Sequence, residues 1–459
     1  MSKILLLNPE WKVKGEDNLW GKVASKYPSL GLGYVAAVLQ KHNHKVFFVD
    51  MLAESMSVEE FKNSYDYCVD FVGITATTPL INNALLIAEI IKKISPSTKV
   101  ILGGVHPTVK SDEVIQNPNV DIVVRGEGEY TMLEIVENKP LQSIKGITYV
   151  ENGEIVRNDN REQIKDLNEL PVPAFDLMPI SKYKPAIGAY KRLPAMSLLT
   201  SRGCVGVCSF CYRLFDKPIR FRSAEKIIEE ILFLQEKYGI KEISFYDDTF
   251  TAIKSNVRKF CELVLEKKLD VTWSCFTRVN YIDEDLFKLM KRAGCHLVLF
   301  GVESGNQKIL DRMHKMITLK QIREAVKICK RVGLKTRASY ILGCLGDTEE
   351  TIQQTISLSL ELDTDYAQYN IMTAYPGTEV WKEAEREGWL VVKDYDYSVS
   401  DFSMSLPTIG NDRLMELYKL AHKRFYFRPK ILLRHLLDIR SWNDVKQKLI
   451  GGLAVALQK

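Results

Sequence analysis

The sequence lacks any apolar run approaching the roughly 20 residues that cross a bilayer; its longest candidates, residues 4–7 and 449–457, fall well short. Its start also lacks the apolar stretch and small-residue cleavage site of a secretory signal, so a cytoplasmic location is expected. Nine cysteines, an odd count, then exclude a disulfide framework and leave buried thiols or metal ligands. Cys68, Cys261, Cys275, Cys295, Cys329 and Cys344 stand singly in apolar runs and read as packing. The disorder signature is missing too, since 46% of residues are apolar and 26% charged, as in soluble globular proteins. A net charge of +5 over 459 residues is too small to imply a nucleic-acid partner. The excess is local, however: residues 413–459 hold eleven Lys or Arg against three acidic residues.

Two domains with an appendage are expected from the length. Between residues 3 and 137, aliphatic runs alternate with amphipathic stretches, the pattern of a parallel sheet with helical crossovers. Strands are expected at Lys3 to Leu7, Lys45 to Asp50, Phe71 to Thr75, Lys99 to Leu102 and Asp121 to Val124, giving a doubly wound, Rossmann-like domain over residues 1–140. Ligands of such sheets bind at the strands' carboxyl ends. The turns there carry Thr75 and Thr77, Gly103, Gly104 and His106, and Gly126 and Glu127. Glycines allow close backbone approach, and hydroxyls can hold a phosphate, so a large cofactor is expected. A Pro-rich connector with one small hairpin follows over residues 141–194. A second series spans residues 195–400, with six strands near Ser197 to Thr200, Glu242 to Tyr246, Val271 to Thr277, His296 to Gly301, Lys335 to Ile341 and Tyr366 to Thr373. Six β-α units without two more predict a partial (β/α)6 barrel with its site at the strands' carboxyl ends. A helical region closes the chain over residues 401–459.

At the end of the first barrel strand stands Ser201-Arg-Gly-Cys204-Val-Gly-Val-Cys208-Ser-Phe210-Cys211-Tyr212. Three thiolates within eight residues can wrap one iron-sulfur cluster while supplying three of its usual four cysteine ligands, which leaves one iron open for chemistry. Zinc would want a fourth Cys or His nearby, and the loop has none.

This spacing, with an aromatic residue before the last cysteine, resembles the signature of the radical S-adenosylmethionine (SAM) superfamily. The resemblance implies a 4Fe-4S cluster on Cys204, Cys208 and Cys211 whose open iron chelates SAM and whose electron releases a 5′-deoxyadenosyl radical. It extends from Ala195 to about Trp389. Phe210, Asp247 or Asp248, Glu303 with Ser304, and Arg337 then fall where SAM is held, Asp247 being the first choice of the two aspartates. Each also has a structural alternative: a helix cap or solvated turn for the aspartates, and a structural hydrogen bond for Glu303. Arg337 would offer a permanent cation to a carboxylate.

The front domain resembles the cobalamin-binding domains fused to many radical SAM enzymes, including class B methyltransferases and anaerobic magnesium-protoporphyrin ester cyclases. In that comparison Thr75, Thr77, Gly103, Gly104, His106, Gly126 and Glu127 are the cobalamin-side residues, with a packed or solvated loop histidine as the equal alternative for His106. The first turn, Asn8-Pro9-Glu10-Trp11, lacks the Asp-x-His-x-x-Gly of an axial histidine, and no Gly-x-Gly-x-x-Gly follows the first strand. The alternative is a domain that binds another nucleotide or only packs on the barrel. A methylthiotransferase is disfavoured, because the front domain holds only Cys68.

The resemblance thus implies cobalamin-dependent methylation of an unactivated carbon, with a second SAM restoring the methyl group to cobalt. The rivals are a cyclase, oxygenase or rearrangement enzyme, and a corrinoid sensor or carrier with a structural cluster. Implied partners are a small-molecule or lipid substrate and an electron donor such as flavodoxin or ferredoxin, with no nucleic acid. The tail carries Leu414, Leu417, Leu420 and Ala421 at helical spacing, as in a cover over the barrel's open end. The alternatives are RNA, or a membrane contact through Phe425, Tyr426 and Phe427 with Arg428, Lys430 and Arg434 near headgroups.

Overall fold

In the computed structural model, residues 1–11, 25–66, 68–186, 188–215, 218–392, 395, 402–439 and 442–456 are described. The first series forms β1 (Lys3–Asn8), β2 (Lys45–Asp50), β3 (Phe71–Thr75), β4 (Lys99–Gly103) and β5 (Ile122–Val124). Side chains alternate between two cores: Ile4 and Leu6 face the helices Leu30–Lys41 and Glu129–Val136, while Leu5 and Leu7 face Val58–Ser64 and Ile81–Ile94. The hairpin expected in the connector forms as β6 (Ile147–Glu151) and β7 (Glu154–Arg157), and it extends this same sheet. The order is β2-β1-β3-β4-β5-β6-β7, parallel through β5. Its direction reverses at β1 and β3, so their carboxyl ends flank the crevice where such sheets take ligands.

The second series forms β8 (Ala195–Leu198), then β9 (Ser201–Arg202) and β10 (Arg220–Phe221), a short antiparallel pair framing the cysteine loop. It continues with β11 (Glu242–Phe245), β12 (Thr272–Thr277), β13 (Cys295–Glu303), β14 (Lys335–Leu342) and β15 (Tyr366–Ile371). Six of these strands make an open parallel sheet, β8-β11-β12-β13-β14-β15, which is the expected partial barrel. Helices between them start at side-chain caps, among them Ser223, Asp283, Thr318 and Thr348. In β14, Ala338, Tyr340 and Leu342 are buried against that outer layer, whereas Arg337, Ser339 and Ile341 face the barrel interior half-exposed. One apolar cluster runs from Leu39 through Phe175 and Tyr183 of the connector to Leu198, so both halves share a core.

The sequence expectations for the tail need correction. Helix Asn411–Tyr426 buries Leu414, Leu417 and Ala421 along the open edge at β15 and helix Glu349–Leu362, with Leu414 against Gly343 at the carboxyl end of β14. Phe425 is buried in the same stripe, and the Tyr426 hydroxyl donates to the Ala367 carbonyl at 2.6 Å and accepts from the Ala367 N–H at 3.3 Å. Neither ring is therefore available to a membrane; only Phe427 is exposed. Lys430 and Arg434 pair with Asp363 at 2.6 and 3.3 Å, with Arg428 at 4.0 Å. Of the single cysteines, Cys261, Cys275, Cys295, Cys329 and Cys344 are packed as expected, but Cys68 is exposed, because the buried alternation begins only at Val69. Among the described residues no helix is long and apolar enough to cross a membrane.

Tyr426 occupies backbone groups that an edge strand would otherwise present to solvent or another chain. Tyr426→Phe is expected to lower stability by about 1 kcal/mol, read as a lower urea midpoint with an unchanged slope.

Candidate active site

The cysteine loop leaves β9 at the barrel's carboxyl mouth. Hydrogen-bond donors approach its sulfurs: the Gly206 N–H lies 3.3 Å from Cys204 Sγ and Arg278 Nη1 3.6 Å from Cys208 Sγ, while the Thr249 hydroxyl, which donates to the Asp248 carbonyl, lies 3.7 Å from Cys204 Sγ. Such donors stabilise thiolate sulfur and tune a cluster's potential. Among the described residues no three His, Cys, Asp or Glu side chains converge on one metal ion, and each cysteine ligand of a 4Fe-4S cluster bonds its own iron. Three thiols flanked by cationic and neutral donors fit that group.

A chain of contacts ties this loop to the ends of β12 and β13. Arg278, directly after β12, also donates to the Lys315 carbonyl, and Lys315 Nζ lies 2.6 Å from Glu303 Oε1 and 5.8 Å from the centre of the Phe210 ring. Glu303 has φ +68°, and a register shift at the end of β13 re-aims its carboxylate toward the lysine. Gly301 makes room for the pair: a Cβ there would lie 2.2 Å from Glu303 Oε1 and 2.7 Å from Lys315 Nζ. Ser304 is buried, accepting from the Asn306 N–H and lying 3.3 Å from the Thr355 hydroxyl, so its hydroxyl serves the turn.

The two aspartates after β11 have different surroundings. Asp247 is buried, and its Oδ1 accepts from the Thr200 N–H, the Thr200 hydroxyl and the Ser201 hydroxyl, holding the chain as it enters the cysteine loop. Burial, partly offset by the bonds from Ser201 and Thr200, raises its pKa to about 6. Asp248 is exposed, beside Thr249 and hence beside Cys204. Only Oδ1 of Asp247 is engaged by Thr200 and Ser201, and its Oδ2 is buried with no partner among the described residues. Arg337 is not brought to the cysteine loop: its guanidinium lies over the ring of Tyr366, the first residue of β15, at 5.4 Å. Tyr27 of the front half packs on Tyr246 after β11, ring centres 4.5 Å apart, joining the two halves over the barrel interior.

At the carboxyl ends of the first sheet, Thr77 is exposed and Thr75 half-exposed. Gly104 has φ +102°, and a Cβ there would meet the Ala76 carbonyl at 2.8 Å, so the β3 and β4 turns require glycine for their own contact. At Gly126 a Cβ would enter open space. His106 is buried with Nδ1 3.2 Å from the Thr78 hydroxyl, and its Nε2 has no partner among the described residues. Burial, reinforced by Lys110, lowers its pKa to about 4, so the ring is neutral at ordinary pH. Exposed hydroxyls, an unpaired imidazole nitrogen and open space at strand ends fit a bulky cofactor such as cobalamin.

Glu127 does not join this set. Its carboxylate accepts from Arg202 Nη1 at 2.6 Å, from Arg220 Nη1 at 2.8 Å and from the Ile164 N–H at 2.6 Å, while Arg202 Nη2 bonds Glu129. All four charged side chains are buried. Burial opposes the charge on Arg202, but Glu129 and Glu127 outweigh it and raise its pKa. Arg202 stands two residues before Cys204, so this network fixes the cysteine loop to the β5 turn of the front domain. Sequence reasoning missed Arg202, Arg220, Arg278 and Lys315; only Arg278, at a strand's carboxyl end, had a readable signal.

Residues 198–359 match the radical SAM superfamily and residues 19–136 match the B12 binding domain. An uncharacterized methyltransferase of Pyrococcus horikoshii is 37% identical over 465 aligned positions, covering 99% of each chain. The anaerobic magnesium-protoporphyrin IX monomethyl ester cyclase of Rubrivivax gelatinosus is 27% identical, covering 94% of this chain and 78% of its own. Among solved structures, the cobalamin-dependent SAM radical enzyme OxsB, with aqua-cobalamin and SAM bound, superposes with a TM-score of 0.74 at 18% identity, over all of this chain and 72% of that one. The chain belongs to the cobalamin-dependent radical SAM methyltransferase family, whose cofactors are a 4Fe-4S cluster, SAM and cobalamin.

Asp247 titrates with a consequence for stability. Its folded pKa of about 6 exceeds its ordinary 3.8, so between these values the folded chain holds a proton that the unfolded chain has lost, and its contribution to stability falls as pH rises. Asp247→Asn keeps the oxygen that accepts from Thr200 and Ser201. It is expected to gain on the wild type by roughly 3 kcal/mol between pH 4 and 7, measured as the difference in urea-unfolding free energy; a difference independent of pH would contradict this.

Proposed function

We propose that the enzyme methylates an unactivated carbon of a small-molecule substrate held between the two sets of strand ends. The observation that carries this is the buried bridge from Arg202 to Glu127 and Glu129, which sets the cysteine loop against the carboxyl end of the first sheet. When bound, the cluster with SAM supplies the 5′-deoxyadenosyl radical and cobalamin the methyl group. In this reading Cys204, Cys208 and Cys211 hold the cluster, with Arg278 and the Gly206 N–H steadying its sulfurs. Phe210, Asp248 and the Glu303–Lys315 pair form the SAM side, and Asp247 and Ser304 keep its turns in place. Arg337, over the Tyr366 ring, faces a ligand carboxylate deeper in the barrel. Thr75, Thr77, Gly103, Gly104, His106 and Gly126 line the cobalamin side, within a front domain that runs past the expected boundary at residue 140, because its sheet continues to Arg157, ahead of the 195–400 barrel. An external flavodoxin or ferredoxin delivers the electron. The C-terminal region makes peripheral contact with a membrane, through residues other than Phe425 and Tyr426.

Anaerobic incubation with SAM, cobalamin and a reductant is expected to give 5′-deoxyadenosine together with S-adenosylhomocysteine. Cys208→Ala should abolish the deoxyadenosine. Deoxyadenosine from the wild type without any S-adenosylhomocysteine would replace methyl transfer by the cyclase or rearrangement chemistry.

A further inference from the structure

At the amino ends of the barrel strands, opposite the cysteine loop, lies a cavity of about 210 Å³. Four lysines from four parts of the chain line it: Lys191 of the connector, Lys291 after β12, Lys335 at the start of β14 and Lys448 of helix Trp442–Ala456. Two aspartates oppose them. Asp438 pairs with Lys335, and Asp444 accepts from the Tyr190 hydroxyl at 3.2 Å. The balance is cationic, and the lysines feel one another: partial burial and then the neighbouring Lys191 and Lys335 lower the pKa of Lys291. Lys291 donates to the Gly333 carbonyl and Lys448 to the His435 carbonyl, so these ammonium groups are held at the cavity wall; four lysines against two carboxylates around one concave space favour an oxyanion.

The same C-terminal helices that close this cavity expose large apolar side chains. In helix Pro429–Leu437, Ile431 points into the core, while Leu432, Leu433, Leu436 and Leu437 are 50 to 78% exposed. Beyond it Trp442 is 88% exposed, and Leu449 and Leu453 at least half. Apolar surface of this extent calls for an occupant. Helices with exposed leucine and tryptophan, in a segment with eleven basic residues against three acidic ones, suit the interface of an anionic bilayer, although Arg428, Lys430 and Arg434 are engaged by Asp363 and Arg413 by Glu349.

We propose that the lysine cavity binds the phosphate of an anionic lipid headgroup while the adjoining exposed leucines enter the acyl boundary. This rests on the peripheral membrane contact inferred above and assigns its residues and its ligand. Because the cavity lies at the strands' amino ends, docking holds the cofactor cleft away from the bilayer: the site locates the enzyme and does not feed it substrate.

Sedimentation of the full chain with vesicles, at one ionic strength, tests this. The vesicles are phosphatidylcholine alone, phosphatidylcholine with phosphatidylglycerol, and phosphatidylcholine made equally anionic with oleate, whose charge is a carboxylate. The wild type should bind the phosphatidylglycerol vesicles at least tenfold more tightly than the other two. Lys191→Gln/Lys291→Gln should lose that preference, and Leu436→Ser/Leu437→Ser should lose binding, with reductive SAM cleavage unchanged in both. No sedimentation of the wild type with any vesicle overturns the membrane contact itself. Equal binding by the wild type and the lysine variant leaves the contact standing and overturns the phosphate site, as does equal binding to oleate vesicles. Thermal stabilisation by inorganic phosphate that the lysine variant loses, without vesicle binding, assigns the cavity to a free phosphate and overturns the lipid.

Discussion

The arrangement of both cofactor sites depends on one buried cation. Arg202 sits at the root of the cysteine loop and reaches across the domain boundary to Glu127 and Glu129, with Arg220 sharing Glu127. Removing one partner from such a network leaves an uncompensated buried charge, at a cost of about 3–5 kcal/mol. A buried ion network gains little stability over well-packed apolar residues, but it tolerates few alternative geometries. Its consequence here is registry: the turn after β5 and the loop after β9 are held together at a fixed place, although the chain runs through the connector between them.

A second, smaller constraint acts within the barrel. The Glu303–Lys315 pair exists because β13 bulges at its end and because Gly301 has no side chain to collide with it. That pair sits under Phe210, and Arg278 bridges from Lys315 to Cys208, so a carboxylate, two cations and an aromatic ring on four segments form one connected rim. The Asp247 carboxylate does comparable work beside it by pinning Thr200 and Ser201. Residues that resemble ligands in sequence thus divide into those that face the cleft and those that hold its walls.

That division was illegible from sequence for identifiable reasons. Strand positions, the partial barrel and the cysteine loop followed from periodicity and spacing, which are local. Glu127 lies beside Gly126 and Gly128 at a strand end, as a ligand would, but the arginines that satisfy it are 75 and 93 residues away. Lys315 lies between His314 and Met316, both at positive φ, where no repeating pattern exists to mark it. One case was readable: the stripe of Leu414, Leu417 and Ala421 continues to Phe425, which should have removed that ring from the surface.

The central claim is that the Arg202 network sets the two cofactors against one cleft. It is tested most directly by electron paramagnetic resonance of the reduced cluster in protein that also carries Co(II) cobalamin. The account predicts a magnetic interaction between the two centres in the wild type, and its weakening in Arg202→Met protein loaded with both. Independent signals in fully loaded wild type, or an undiminished interaction in the variant, would contradict it.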